Sequence, residues 1–129
     1  MADMITVLYV EDNKENRLLV RRVLEAEGYT VIEAESAAQA LERLESGVPN
    51  LILMDINMPE IDGYTLTTRL RQNPKMRGVP IIAMTANVMR GDRERTMEAG
   101  CDGYIQKPFD VDTLGQQLKQ FLQGVDNDR

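Results

Sequence analysis

The sequence predicts an α/β domain in which a parallel sheet is covered by helices on both faces. Three observations carry this expectation. Short apolar runs rich in β-branched residues alternate five times with longer stretches of helical period. The runs are apolar nearly throughout, as suits strands buried on both sides, rather than at every second residue. Finally, 129 residues at 43% hydrophobic and 28% charged suffice for one ordinary core and leave no room for a second domain.

The first strand is Ile5–Val10, and Asn13 caps a helix whose apolar positions are Leu18, Leu19, Val23 and Leu24, ending near Gly28. Thr30–Ala34 is the second strand; Ser36 then caps a helix carrying Ala37, Ala40, Leu41 and Leu44, which stops at Gly47. Leu51–Met54 is the third strand, and after Asp62 a helix carries Leu66 and Leu70. Val79–Met84 is the fourth, with Met89 and Met97 marking a helix that stops at Gly100. Gly103–Gln106 is the fifth; Asp110 caps a last helix bearing Leu114, Leu118, Phe121 and Leu122, and Gly124–Arg129 is expected to fray. With no repeat, low-complexity segment or linker, residues 1–129 are expected to form one domain with its core at about 5–122.

Composition removes several functions. A net charge of −6 lacks the cationic footprint that nucleic-acid binding needs. The apolar runs are too short to cross a bilayer, and the first residues lack the pattern of a signal peptide. The one cysteine, Cys101, offers no disulfide framework, so a cytoplasmic location is expected. There is no histidine, so the chain is neither a histidine kinase nor a phosphohistidine carrier.

The residues at the ends of the apolar runs are more informative. The first run leads into Glu11-Asp12, the third into Asp55, the fourth into Thr85 and the fifth into Lys107-Pro108. In a parallel sheet these ends share the carboxyl edge, where open α/β folds place their sites. Three carboxylates there repel one another, and a hard divalent cation with open positions for water, Mg²⁺, relieves them. With Lys107 as a fixed positive charge and Thr85 as a neutral donor, the cluster suits a small oxyanion beside a metal, and a carboxylate nucleophile can form an acyl phosphate. Taken singly each residue has an ordinary explanation, as a cap, a turn former or an exposed lysine. Four strand ends with complementary chemistry do not.

Val10-Glu11-Asp12-Asn13, the segment Leu53-Met54-Asp55-Ile56-Asn57-Met58-Pro59, Asp62-Gly63, Met84-Thr85-Ala86 and Gln106-Lys107-Pro108 resemble the receiver domain of bacterial two-component response regulators. The likeness runs from about Ile5 to Leu122 and is nearest to stand-alone receivers of the CheY and DivK kind. It implies a flavodoxin-like, CheY-like (βα)5 fold, doubly wound, with strand order 2-1-3-4-5. It also implies that Asp55 is the phosphoacceptor and that Asp12 and Asp55 bind Mg²⁺ directly. Glu11 would act directly or through water, and the Asn57 carbonyl would complete the protein ligands. Thr85 and Lys107 would each engage a phosphoryl oxygen, and Pro108 is expected after a cis peptide bond.

The same resemblance implies a switch. A phosphoryl group adds roughly −1.5 to −2 charge and draws Thr85 toward it. Tyr104 matches the family's switch aromatic, although a half-buried strand aromatic explains it as well; Gly63 is equally a turn glycine. Asn57, Ala86 and Asn87 flank the line of water attack and are expected to tune phosphoryl lifetime. The implied donor is a sensor histidine kinase or histidine phosphotransfer protein. The implied output face is the fourth helix, fifth strand and fifth helix, from about Val88 to Leu122, toward a downstream protein target. A monomer is expected at rest, with dimerisation on activation left open. No separate substrate turnover is expected, so the chain reads as a switch that dephosphorylates itself rather than as an enzyme.

Other readings fare worse. A haloacid-dehalogenase-type phosphatase needs a second aspartate where Asn57 stands. An EF-hand loop starting at Asp55 would need glycine at its sixth position and glutamate at its twelfth, where Leu66 stands. Neither G-x-G-x-x-G nor a Walker A stretch is present. A receiver-like interaction module that no longer takes phosphate is the remaining alternative, and the complete set Glu11, Asp12, Asp55, Thr85 and Lys107 argues against it.

Overall fold

Five strands pair in parallel, the second at one edge followed by the first, third, fourth and fifth. The computed structural model describes residues 5–56, 63–85, 97–106 and 110–127. The strands are β1 (Thr6–Val10), β2 (Thr30–Ala34), β3 (Leu51–Asp55), β4 (Ile81–Thr85) and β5 (Gly103–Gln106). Between them run α1 (Lys14–Ala26), α2 (Ala37–Ser46) and α3 (Gly63–Arg71), and a C-terminal helix spans Leu114–Asn127. Residues 97–99 are helical and end the stretch in which the fourth helix is expected; the rest of that stretch lies outside the described residues.

The strand side chains divide by parity between two cores. Leu8, Val10, Ile52, Met54, Ile81 and Ala83 meet α2 and α3 through Ala37, Ala40, Leu66 and Leu70. Val7, Tyr9, Leu51, Leu53, Ile82, Met84 and Ile105 meet α1 and the C-terminal helix through Val20, Leu24, Leu114 and Leu118. Strand residues that alternate between two buried faces must be apolar at nearly every position, which is why the sequence shows no period-two pattern.

Local chemistry sets the ends of the elements. Asn13 accepts from the Asn16 amide at 2.9 Å, and Ser36 from the Gln39 amide at 3.1 Å, as N-caps do. Asp110 accepts from the Asp112 amide at 2.9 Å, one turn before the C-terminal helix. Three expectations change. On α1 the buried residues are Val20 and Leu24, whereas Leu18 and Leu19 are exposed, because Leu18 projects nearly opposite Val20 on a 3.6-residue period. Met97 is likewise exposed rather than core. The last helix continues to Asn127 instead of fraying from Gly124.

One tie has no signal in the sequence. At the amino edge of the sheet, Arg71 donates to the carbonyls of Gly100, Met76 and Val79, each at 2.8 Å, and to the Asp102 carboxylate at 2.6 Å. Asp102 also accepts from the Ile81 amide at 2.8 Å. The guanidinium thus joins the end of α3, the short 3₁₀ turn Pro74–Met76 and the entries to β4 and β5. Gly100 has φ +108°, and a Cβ there would lie 2.7 Å from Arg71 Cγ, so glycine serves both the left-handed turn and the close approach.

Candidate functional site

The carboxyl edge gathers the three acidic residues that end the first and third apolar runs. One carboxylate oxygen from each of Glu11, Asp12 and Asp55 lies within 4.8 Å of the others. The register explains it. Val10 pairs with Met54 and Asp55 with Met84, so the first residue beyond β1 and the last of β3 fall side by side. Two backbone bonds extend the ladders past the strands: the Glu11 amide donates to Ala34 at 2.9 Å, and the Ile56 amide to Met84 at 3.1 Å. The acidic residues therefore sit on fixed backbone.

Burial separates the three. Glu11 and Asp55 are 1% and 3% exposed, whereas Asp12 is open to solvent. Two buried carboxylates beside a third exposed one, all hard oxygen donors, fit a divalent cation of the Mg²⁺ class with room for water. Arg17 braces the approach from α1. It donates to the Glu11 carbonyl at 2.7 Å and pairs with Glu33 at 3.5 Å and Glu35 at 3.7 Å.

Thr85 ends β4 and is 2% exposed, one residue beyond the Met84 that pairs with Asp55. Tyr104 is half-buried against the core on the α3 side and pairs with Ala83, two residues before Thr85. By strand alternation Thr85 and Tyr104 share a face of the sheet. Asn57, Ala86, Asn87, Lys107 and Pro108 lie outside the described residues, as does most of the stretch in which the fourth helix is expected.

One participant escaped the sequence reading. Tyr9, wholly buried, donates its hydroxyl to Glu11 Oε1 at 3.1 Å, while the Asn13 amide donates to Oε2 at 3.2 Å. Burial first, then the neighbouring Glu11 charge and this bond, push the Tyr9 hydroxyl above its ordinary value, so it remains a donor. The signal was available: a tyrosine two residues before Glu11 in an extended strand points to the same side, and a buried tyrosine needs a partner.

Comparison with known proteins agrees with this geometry. The chain is 41% identical over 117 residues to the polar-differentiation response regulator DivK of Brucella ovis, covering 91% of this chain and 95% of that one. Among solved structures, the receiver domain of a Pseudomonas aeruginosa sensor histidine kinase, with magnesium coordinated in its active-site cleft, superposes with a TM-score of 0.85 at 36% identity, covering 94% and 99% of the two chains. The chemotaxis response regulator CheY4 of Vibrio cholerae gives a TM-score of 0.88 at 27% identity over 92% and 99%. The family model of the response regulator receiver domain matches residues 7–119. The chain belongs to that family, the receiver domains of two-component signalling.

Proposed function

We propose that the chain is a phosphorylation-dependent switch in which Asp55 takes a phosphoryl group from a partner's phosphohistidine, with Mg²⁺ held by Glu11, Asp12 and Asp55. The observation that carries this is the convergence of those carboxylates within 4.8 Å on fixed backbone at the carboxyl edge. The magnesium in the related Pseudomonas aeruginosa receiver supports the choice of ion. In the step, an Asp55 oxygen bonds to phosphorus as the bond from phosphorus to the donor imidazole nitrogen breaks, and the imidazole takes up a proton. Held by those carboxylates, the ion would offset charge on the transferring group. Water later cleaves the acyl phosphate, restoring the carboxylate and releasing inorganic phosphate, so each cycle consumes one phosphoryl group from the donor and leaves the chain unchanged.

The supporting roles extend this reading. Lys107 would pair with the phosphoryl group, the Asn57 carbonyl would complete the ion's protein ligands, and Pro108 is expected after a cis peptide bond. Thr85 moves toward the phosphoryl oxygens, and Tyr104, on the same sheet face, fills the space left behind. Asn57, Ala86 and Asn87 set the approach of water and hence the lifetime. Output passes through the face running from about Val88 to Leu122 to a downstream protein; the donor is a histidine kinase or a histidine phosphotransfer protein. The working unit is a single domain over 1–129, monomeric at rest and cytoplasmic. Among the described residues no helix is long and apolar enough to cross a membrane.

Intact mass after incubation with Mg²⁺ and acetyl phosphate tests the proposal. One added phosphoryl group is expected on the wild type, labile at high pH, and none on Asp55→Asn or in EDTA. An unmodified wild type would refute it and leave the interaction module as the better reading.

A further inference from the structure

We infer that Tyr9 is a positioning residue for the metal site, holding the Glu11 carboxylate in the one orientation that suits Mg²⁺. The inference rests on the reading of Glu11 as part of that site. A glutamate reaches the cluster through three rotatable bonds, and ordering so long a side chain is entropically costly. Here both oxygens are tied: Oε1 by the Tyr9 hydroxyl at 3.1 Å and Oε2 by the Asn13 amide at 3.2 Å. The Tyr9 ring is itself fixed, wholly buried in the core between the sheet, α1 and the C-terminal helix. Its position is thus inherited from the packing rather than from the loop. Bonds to two donors fix the carboxylate plane, with one Glu11 oxygen within 4.8 Å of an oxygen of Asp12 and of Asp55 and lone pairs remaining for a cation.

The consequence concerns which ion is preferred. Mg²⁺ demands near-ideal octahedral geometry at short distances, whereas Ca²⁺ accepts variable coordination at longer ones. A carboxylate released from its tether still carries its charge, so a tolerant ion loses little and an exacting one loses much. Partners that orient metal ligands commonly contribute roughly 10- to 100-fold in affinity.

Calorimetric titration of the whole chain with MgCl₂ and, separately, CaCl₂ tests this. Tyr9→Phe keeps the ring and removes only the hydroxyl. It is expected to weaken Mg²⁺ binding about tenfold while changing Ca²⁺ binding less than about twofold. In a Glu11→Asp background, whose shorter carboxylate withdraws from the hydroxyl, Tyr9→Phe is expected to add no further loss. Should the phenylalanine variant not fold, p-aminophenylalanine at position 9 keeps a donor and p-methylphenylalanine does not, and only the first should retain the Mg²⁺ preference. Unchanged Mg²⁺ affinity in Tyr9→Phe, or equal loss for both ions, overturns the inference. A wild type that binds no Mg²⁺ overturns the functional proposal itself, and the two failures are distinct.

Discussion

Removing one charge from the acidic cluster should stabilise the metal-free protein while abolishing its function. Asp55→Asn does this with little change in shape. Glu11 and Asp55 are nearly inaccessible, and their carboxylate oxygens lie within 4.8 Å of each other. At an effective dielectric constant near 20, two unit charges at that separation repel by about 3.5 kcal/mol. The exposed Asp12 adds little, since solvent screens it. Side-chain relaxation and repulsion surviving in the unfolded chain reduce the measurable gain to about 1–3 kcal/mol. For a domain of this size that is a Tm rise of about 4–12 °C in EDTA. Mg²⁺ should narrow this difference, because the wild type gains binding energy that the variant lacks. At a concentration about twenty times Kd that gain is about 1.8 kcal/mol. Differential scanning calorimetry in EDTA and in MgCl₂ measures both. A variant no more stable than the wild type in EDTA, or an equal Mg²⁺ response in the two proteins, would refute the claim that the cluster is held together against repulsion and relieved by metal.

Two further outcomes arise from features away from the cluster. Arg71→Ala deletes four short donations, three to carbonyls at 2.8 Å and one to Asp102 at 2.6 Å, in a side chain 20% exposed. Charged hydrogen bonds of this kind, partly replaced by water, contribute about 2–4 kcal/mol in sum, so the urea midpoint should fall by about 1–2 M with an unchanged slope. A pH dependence arises from Cys101, whose thiol burial pushes up. The folded state then holds this proton more tightly than the unfolded chain, so the contribution is complete below the unfolded thiol value of about 8.5 and is lost as pH rises through the folded one. Tyr9 acts with the same sign at higher pH. Thermal melts should therefore decline above about pH 8.5, and Cys101→Ala should flatten the first part of that decline.

The strands were legible because their burial on both faces writes itself as unbroken apolar runs. Predicted and observed limits agree at Thr30–Ala34 and Gly103–Gln106 and differ by one or two residues elsewhere. The site was legible for a related reason: a parallel sheet brings all its carboxyl ends to one edge, so residues distant in sequence need only end a strand to meet. Glu11, Asp12 and Asp55 meet accordingly. The features that escaped depend on side-chain reach rather than on order along the chain. Arg71 spans α3 to carbonyls at Met76, Val79 and Gly100, and no local pattern marks an arginine as an anchor. Helix phase was also misjudged on α1, where two adjacent leucines, Leu18 and Leu19, face solvent although apolar character alone suggested burial.

The two cores give the proposed switch its physical form. By alternation Asp55 continues the Leu51 and Leu53 side toward α1 and the C-terminal helix, whereas Thr85 continues the Ile81 and Ala83 side toward α3. The proposed phosphoacceptor and its sensor thus belong to opposite sides of one sheet and meet only at its edge. A group bound at Asp55 and gripped by Thr85 would pull on both cores at once. Tyr104 packs on the Thr85 side and pairs with Ala83, so it is placed to respond to that pull. Close-packed cores move between discrete arrangements rather than deforming smoothly, so a displacement at the edge is carried as a repacking of one face. On the other side, Tyr9 ties Glu11 to the core that faces α1. On the proposed reading, a charge change at Asp55 would reach a surface elsewhere on the domain through the Thr85 and Tyr104 side of the sheet.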